Sequence, residues 1–310
     1  MRRNLGRIRG AMYGVAVGDA LGAPLEFMDA ASIQRMHGTV RDMIGGGWLG
    51  VRPGECTDDT AMTLAVAHGI AEAPYYPIEA IGRRFVEWAN SGPKDIGATC
   101  ATSIREAIRM ATDKAAPSAF IWKHAAEAAH MILNGKTAGN GSLMRTAYVG
   151  LYYQDEINLV LKAWTISKMT HFDNQAAELC VAYSALLNQM VKESRLRARR
   201  QILIKGGVCG MEYAGFEPRP TGYAVDSFEA AIYCVYTTKS FEDAVIKAVN
   251  LGGDADTIGA ITGGLAGALY GFKAIPERWT KYLSPEICAE IDELCELAAK
   301  QQEANKEVTV

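Results

Sequence analysis

The chain has 310 residues, 49% of them hydrophobic, and a formal net charge of −3. That length and apolar content allow a large buried core, and the balance of charge excludes the global basic surface that a nucleic-acid binder needs. The one basic run, 195–200 (RLRARR), has no interleaved aromatic residues for base stacking and reads as a solvated helix end.

In chain order, apolar residues recur at spacings of three and four over 5–21, 60–71, 77–90, 98–111, 118–133, 155–169, 174–203, 227–237, 241–250, 257–272 and 285–300. Each of these segments is expected to be helical. The first is rich in Gly, Ala and Val on every face, which predicts a buried helix. Period-two runs of Val, Ile and Thr are scarce, and clear hairpin turns are missing. The expectation is an all-α bundle. Ser240 and Asp243 form a capping box at the start of 241–250, with Asp in place of the usual Glu or Gln. The segment 257–272 carries Gly259, Ala260, Gly263, Gly264, Gly267 and Ala268. Each interior glycine costs up to about 1 kcal/mol against alanine. Close packing against the small-residue first helix is the expected compensation. Residues 301–310 read as a polar, frayed tail.

The seven cysteines are scattered, with no CxxC pair, as in a reducing compartment. The apolar stretch after Met1-Arg2-Arg3 is broken by Arg7, Arg9 and Asp19, so it does not read as a signal peptide. No segment has the roughly 18 uninterrupted apolar residues of a membrane span. We expect a cytoplasmic protein, and a monomer.

Two acidic clusters carry the chemistry. One is Thr57-Asp58-Asp59-Thr60, after Gly54; the other is Asp254-Ala255-Asp256-Thr257, after Gly252-Gly253. N-capping explains one or two residues of each cluster but not four in succession. They offer only oxygen ligands, the set that suits Mg²⁺, Mn²⁺ or Ca²⁺. If the clusters meet, the carboxylates repel: two unit charges about 4 Å apart cost roughly 4 kcal/mol at an effective dielectric of 20. Cations or protons must then neutralise them. Gly139-Asn140-Gly141-Ser142 supplies flexible backbone amides suited to a phosphate or hydroxyl group. By themselves Asp95, His171 and Tyr223 read as a cap, a core histidine and a packed aromatic.

Taken in order, Gly18-Asp19-Ala20-Leu21-Gly22, Glu26, Thr57-Asp58-Asp59-Thr60, Asp95-Ile96-Gly97, Gly139 to Arg145, Thr170-His171, Gly222-Tyr223 and Gly252 to Thr257 resemble the ADP-ribosylglycohydrolases, in particular those of the dinitrogenase-reductase-activating type. The resemblance spans about residues 5–275. It implies an orthogonal all-α bundle, residues 1–300 as a single domain, and a binuclear Mg²⁺ or Mn²⁺ centre in a cleft. By that similarity Thr57, Asp58, Asp59, Asp254, Asp256 and Thr257 would ligate the metals. Glu26 would lie beside the metals and Asp95 near the reacting ribose, and either is a candidate acid/base group. Gly139, Asn140, Gly141, Ser142, His171 and Tyr223 would line the ADP-ribose cleft, Tyr223 by stacking. The implied partner is a protein ADP-ribosylated on arginine, or an ADP-ribosyl small molecule. Departures from the family pattern are Cys56 and Ala138, where relatives often carry aromatic residues, and Ala98, where a polar Asn is expected.

Overall fold

The structure is a computed structural model that describes residues 2–114, 116–193 and 216–307. The basic run 195–200, Cys209 and the end of the segment expected over 174–203 lie outside the described residues. Among the described residues there are fourteen α-helices and no β-strand, so the all-α expectation holds. No helix there is long and apolar enough to cross a membrane.

The centre of the bundle is the pair α1 (Arg2–Gly22) and α12 (Ala255–Tyr270). They run antiparallel in backbone contact, with glycines at four-residue intervals meeting across the seam. A Cβ at Gly14 would stand 2.0 Å from Gly263 O, and one at Gly263 would stand 1.9 Å from Gly14 O. No side chain fits there, so the small-residue pattern of both helices is a packing requirement, as the sequence predicted. Fifteen residues of α12, Ala255 to Leu269, are buried.

Around this pair stand α3 (Asp58–Glu72), α4 (Ile78–Asn90), α5 (Ala98–Met110), α6 (Ala119–Ile132), α8 (Glu156–Ser167), α9 (Asn174–Lys192), α10 (Ala224–Thr237), α11 (Phe241–Val249) and α14 (Pro285–Glu307). Ser240 Oγ caps α11 by accepting from Asp243 N at 3.0 Å, but the Asp243 carboxylate accepts from the Ser240 hydroxyl at 2.6 Å instead of from the Ser240 backbone N–H, so only the serine half of the expected capping box forms. Three shorter helices have no counterpart in the sequence reading: α2 (Ala30–His37), α7 (Ala147–Tyr152) and α13 (Glu277–Thr280). With eight, six and four residues they complete too few turns for periodicity to show.

Over 301–307 the frayed-tail expectation is corrected, while 308–310 lie outside the described residues. Helix α14 continues to Glu307. Gln302 is buried, donates to Leu151 O at 2.9 Å and accepts from Asn4 Nδ2 at 3.3 Å. These bonds tie the start of this segment to α1 and α7.

The glycine seam makes a direct prediction. Gly263→Ala should cost about 1–3 kcal/mol in urea denaturation, because the added carbon meets backbone rather than a yielding side chain. Gly6→Ala, in the same helix pair but with open space around its Cβ, should be neutral or stabilising by up to about 1 kcal/mol. Equal effects at the two positions would contradict the close-contact account.

Candidate active site

The antiparallel pairing sets the start of α12 beside the end of α1. The chain leaves α1, turns at Glu26, and is clipped to the loop before α12: Phe27 N donates to Gly253 O and Gly253 N donates to Met28 O, both at 2.7 Å. Glu26 and Asp254 are thereby neighbours. The first acidic cluster is brought in by Asp19, a fully buried carboxylate on α1. Its oxygens accept from Thr57 N at 3.0 Å, Thr57 Oγ1 at 2.8 Å, Thr60 N at 3.1 Å and Thr60 Oγ1 at 2.5 Å. Asp19 thus does from a distant helix what an N-cap residue normally does locally. The two clusters touch directly, where Thr257 Oγ1 lies 3.2 Å from Asp59 Oδ2 across 198 residues of sequence.

These elements enclose a cavity of about 390 Å³. The first residues of three helices face it: Asp58 of α3, Ala98 to Cys100 of α5, and Asp256 and Thr257 of α12. Their N-termini bring partial positive charge, which favours carboxylates and anionic ligands. Glu26, Asp95, Gly139, Asn140, Gly141, His171 and Asp254 also line the wall. Four expected site residues do not. Asp59 is fully buried behind Asp58. Thr57 borders a smaller neighbouring cavity and hydrogen-bonds to Asp19. Ser142 is fully buried behind its loop, accepting from Ser167 Oγ at 2.9 Å. Tyr223 pairs its backbone with Gly139, while its hydroxyl donates to Gln175 Oε1.

The electrostatics are those of crowded carboxylates. Burial pushes Asp58, Asp59 and Asp256 well above the usual carboxylate range, and neighbouring carboxylates push them further. The strongest charge effects on Asp58 come from Asp95, Asp19, Glu26 and Asp254, all acids. Burial raises Glu26 to about 7, against the opposing hydrogen bond from Trp48. Asp95 is raised too, chiefly by burial.

The donor set fits divalent cations. Oxygens of Glu26, Asp254 and Asp256 lie within 4.8 Å of one another. Asp59 Oδ1 is buried without a hydrogen-bond partner, a cost of about 1–3 kcal/mol or more for a charged group that a cation would relieve. Hard oxygen ligands in this number suit Mg²⁺ or Mn²⁺ rather than a thiol-seeking metal.

Several contributors escaped the sequence reading. Asp19 belongs to a recognisable motif, but its partners lie 38 and 41 residues away. Trp48 donates its indole N–H to Glu26 Oε2 at 2.7 Å. Phe27, Thr99 and Cys100 line the cavity without any local signal, and Met144 and Gly222 line it from within quoted motifs in which they were not named as site residues. Of the family departures, Ala98 lines the cavity, whereas Cys56 turns toward Ala16 O at 3.5 Å.

A stability measurement follows from the raised carboxylates. A carboxylate whose folded pKa lies above its unfolded value favours the folded state fully below the unfolded pKa, and that contribution is lost as pH rises through the folded pKa. For Glu26 this window runs from about 4.5 to about 7. The metal-free protein should therefore show a falling Tm across that range, and Mg²⁺ or Mn²⁺ should flatten or reverse the fall. A metal-free Tm that rises steadily from pH 5 to 7 would show that carboxylate crowding does not govern the site.

Comparison with known proteins agrees with this architecture. The family model for ADP-ribosylglycohydrolase matches residues 2–307. An ADP-ribosyl-[dinitrogen reductase] glycohydrolase from Rhodospirillum rubrum is 33% identical over 293 residues, covering 92% of each chain. The ADP-ribosylarginine hydrolase Tri1 of Serratia proteamaculans is 32% identical, covering 89% of this chain and 75% of its own. A solved structure described as an ADP-ribosylglycohydrolase-related protein complex superposes with a TM-score of 0.77 at 29% identity, covering 96% of this chain and 100% of its own. With a matching family model over nearly its whole length and a cleft built from the motifs that the resemblance rests on, the chain belongs to the ADP-ribosylglycohydrolase family.

Proposed function

We propose that this protein hydrolyses the N-glycosidic bond between C1″ of ADP-ribose and an arginine side chain of a modified protein. The observation that carries this reading is the convergence of Glu26, Asp254 and Asp256 oxygens within 4.8 Å, on a cavity also lined by Asp95, the 139–141 loop and His171. The name of the ADP-ribosylarginine hydrolase relatives supports arginine as the linkage, and that of the dinitrogen reductase glycohydrolase supports a modified protein as the substrate. Two divalent cations, Mg²⁺ or Mn²⁺, would be held by Thr57, Asp58, Asp59, Asp254, Asp256 and Thr257, and when bound would supply Lewis acidity toward ribose hydroxyls and water. Free cysteines among the described residues support a cytoplasmic setting. Residues 1–300 act in this reading as one unit, since the ligand set draws on both ends of the chain.

The chain's own groups have separable tasks. Leaving-group departure builds positive charge on the ribose ring, which the surrounding carboxylates favour. A guanidine leaves poorly unless it is protonated, so a group that holds a proton near neutral pH is needed. Glu26, which burial raises to about 7 in the cation-free site and whose Oε2 is oriented by the Trp48 N–H, is the first candidate for that group. Asp95, half-buried and also raised, is the second candidate to give or take the proton. Asn140 Nδ2 donates to Asp254 Oδ2 at 2.7 Å and to Ser227 Oγ at 2.9 Å, fixing the loop against the acidic cluster. Backbone amides of that loop suit the diphosphate and proximal ribose.

Release of ADP-ribose from arginine-, serine- and thymidine-linked substrates tests the assignment. Turnover should be greatest on the arginine linkage. Release from serine alone would overturn it, and saturable ADP-ribose binding without any product would mark a non-catalytic relative. Glu26→Gln and Asp95→Asn should each lower kcat by about 10²–10⁴-fold if both share the proton work. Loss of one limb of the kcat/KM–pH profile in one variant alone identifies which carboxylate carries the proton.

A further inference from the structure

His171 is 1% exposed and presents one ring edge to the cleft. A Cβ on Gly141 would stand 3.3 Å from His171 Cε1 and 3.4 Å from Nε2, so a glycine there keeps this edge uncrowded. The other edge is buried, with Nδ1 2.7 Å from Thr170 Oγ1. That hydroxyl also accepts from Arg145 Nη2 at 2.8 Å.

Arg145 is an unusual neighbour. It is fully buried and has no carboxylate among its hydrogen-bond partners. Its guanidinium lies 4.7 Å from the centre of the Phe85 ring and donates to Ile166 O at 3.2 Å, Gly141 O at 3.3 Å and Cys100 Sγ at 3.5 Å. A guanidinium only donates, so Arg145 occupies one of the two lone pairs on Thr170 Oγ1. The single hydroxyl hydrogen must then choose between the His171 nitrogen and the Cys100 sulfur, which also neighbours it. Sulfur is the weaker acceptor. A hydroxyl that accepts from a cation becomes a stronger donor and a poorer second acceptor. Both effects direct the hydrogen to Nδ1 and leave the ring proton on the far nitrogen.

We propose that Arg145, acting through Thr170, is a positioning residue that holds His171 as the neutral Nε2–H tautomer, with that N–H presented to a ligand oxygen in the cleft. Burial and the charge of Arg145 hold His171 well below the usual histidine range, so the ring stays uncharged at neutral pH. A neutral donor of fixed direction binds an anionic or hydroxyl oxygen without adding charge to the site. Only the identity of that oxygen, as part of ADP-ribose, rests on the function proposed above.

Long-range ¹H–¹⁵N correlation spectra of the full chain read the tautomer directly, and the protein has five histidines to resolve. His171→Gln assigns the relevant signals. Wild type and Thr170→Ser should show a protonated Nε2 and a bare Nδ1 at pH about 7. Thr170→Val should lose that preference and bind ADP-ribose about tenfold more weakly, with Thr170→Ser restoring affinity. A protonated Nδ1 in wild type overturns the relay, as does an unchanged tautomer in folded Thr170→Val. If the valine variant fails to fold, the wild-type tautomer decides by itself. If wild type does not bind ADP-ribose, the functional reading fails while the spectra still decide the relay.

Discussion

Backbone contact between α1 and α12 is the constraint on which the site depends. Two antiparallel helices that touch through glycines cannot slide or separate without losing the whole seam. This fixes the start of α12 against the end of α1, and so fixes Asp256 against Glu26. From the same helix, Asp19 reaches out and sets the first turn of α3. One rigid element therefore positions both acidic clusters. The cost is a helix pair poor in intrinsic propensity and nearly devoid of side chains at its centre.

The geometry concentrates carboxylates where burial already disfavours charge. Asp58, Asp59 and Asp256 are raised by burial first and by neighbouring carboxylates second, led by Asp95, Asp19 and Asp59 respectively. A fold would discard such a cluster unless something repaid it. Helix N-termini offset part of the repulsion, and divalent cations would offset the rest. Burial first, and the same crowding second, raise Glu26 into the range where a carboxyl can give and take a proton near neutral pH. In the proposed function, metal holding and acid/base chemistry would draw on the same buried cluster of carboxylates.

Much of this was legible in the residues. Periodicity found the long helices, and the small-residue pattern of 257–272 named its partner. The two oxygen-rich clusters did meet. Contributions that depend on side-chain direction were not legible. Ser142 and Tyr223 sit within motifs that line the cleft, but their side chains turn to Ser167 and Gln175. Asp19 looks like any buried helix residue until α3 is folded against it. Trp48 reaches Glu26 from a loop 22 residues away. At the C-terminal end, Gln301 to Glu307 is polar but rich in good helix formers. A single buried glutamine, Gln302, anchors its start, and no sequence pattern marks a lone buried amide.

The central claim is that the two acidic clusters form one binuclear cation site. Titrating metal-free protein with Mn²⁺ under electron paramagnetic resonance measures this directly. The account predicts two Mn²⁺ per chain with exchange coupling between them, and loss of that coupled signal in Asp58→Asn and in Asp256→Asn while the helical signal persists. A single uncoupled ion, or a coupled pair that survives both substitutions, would contradict it.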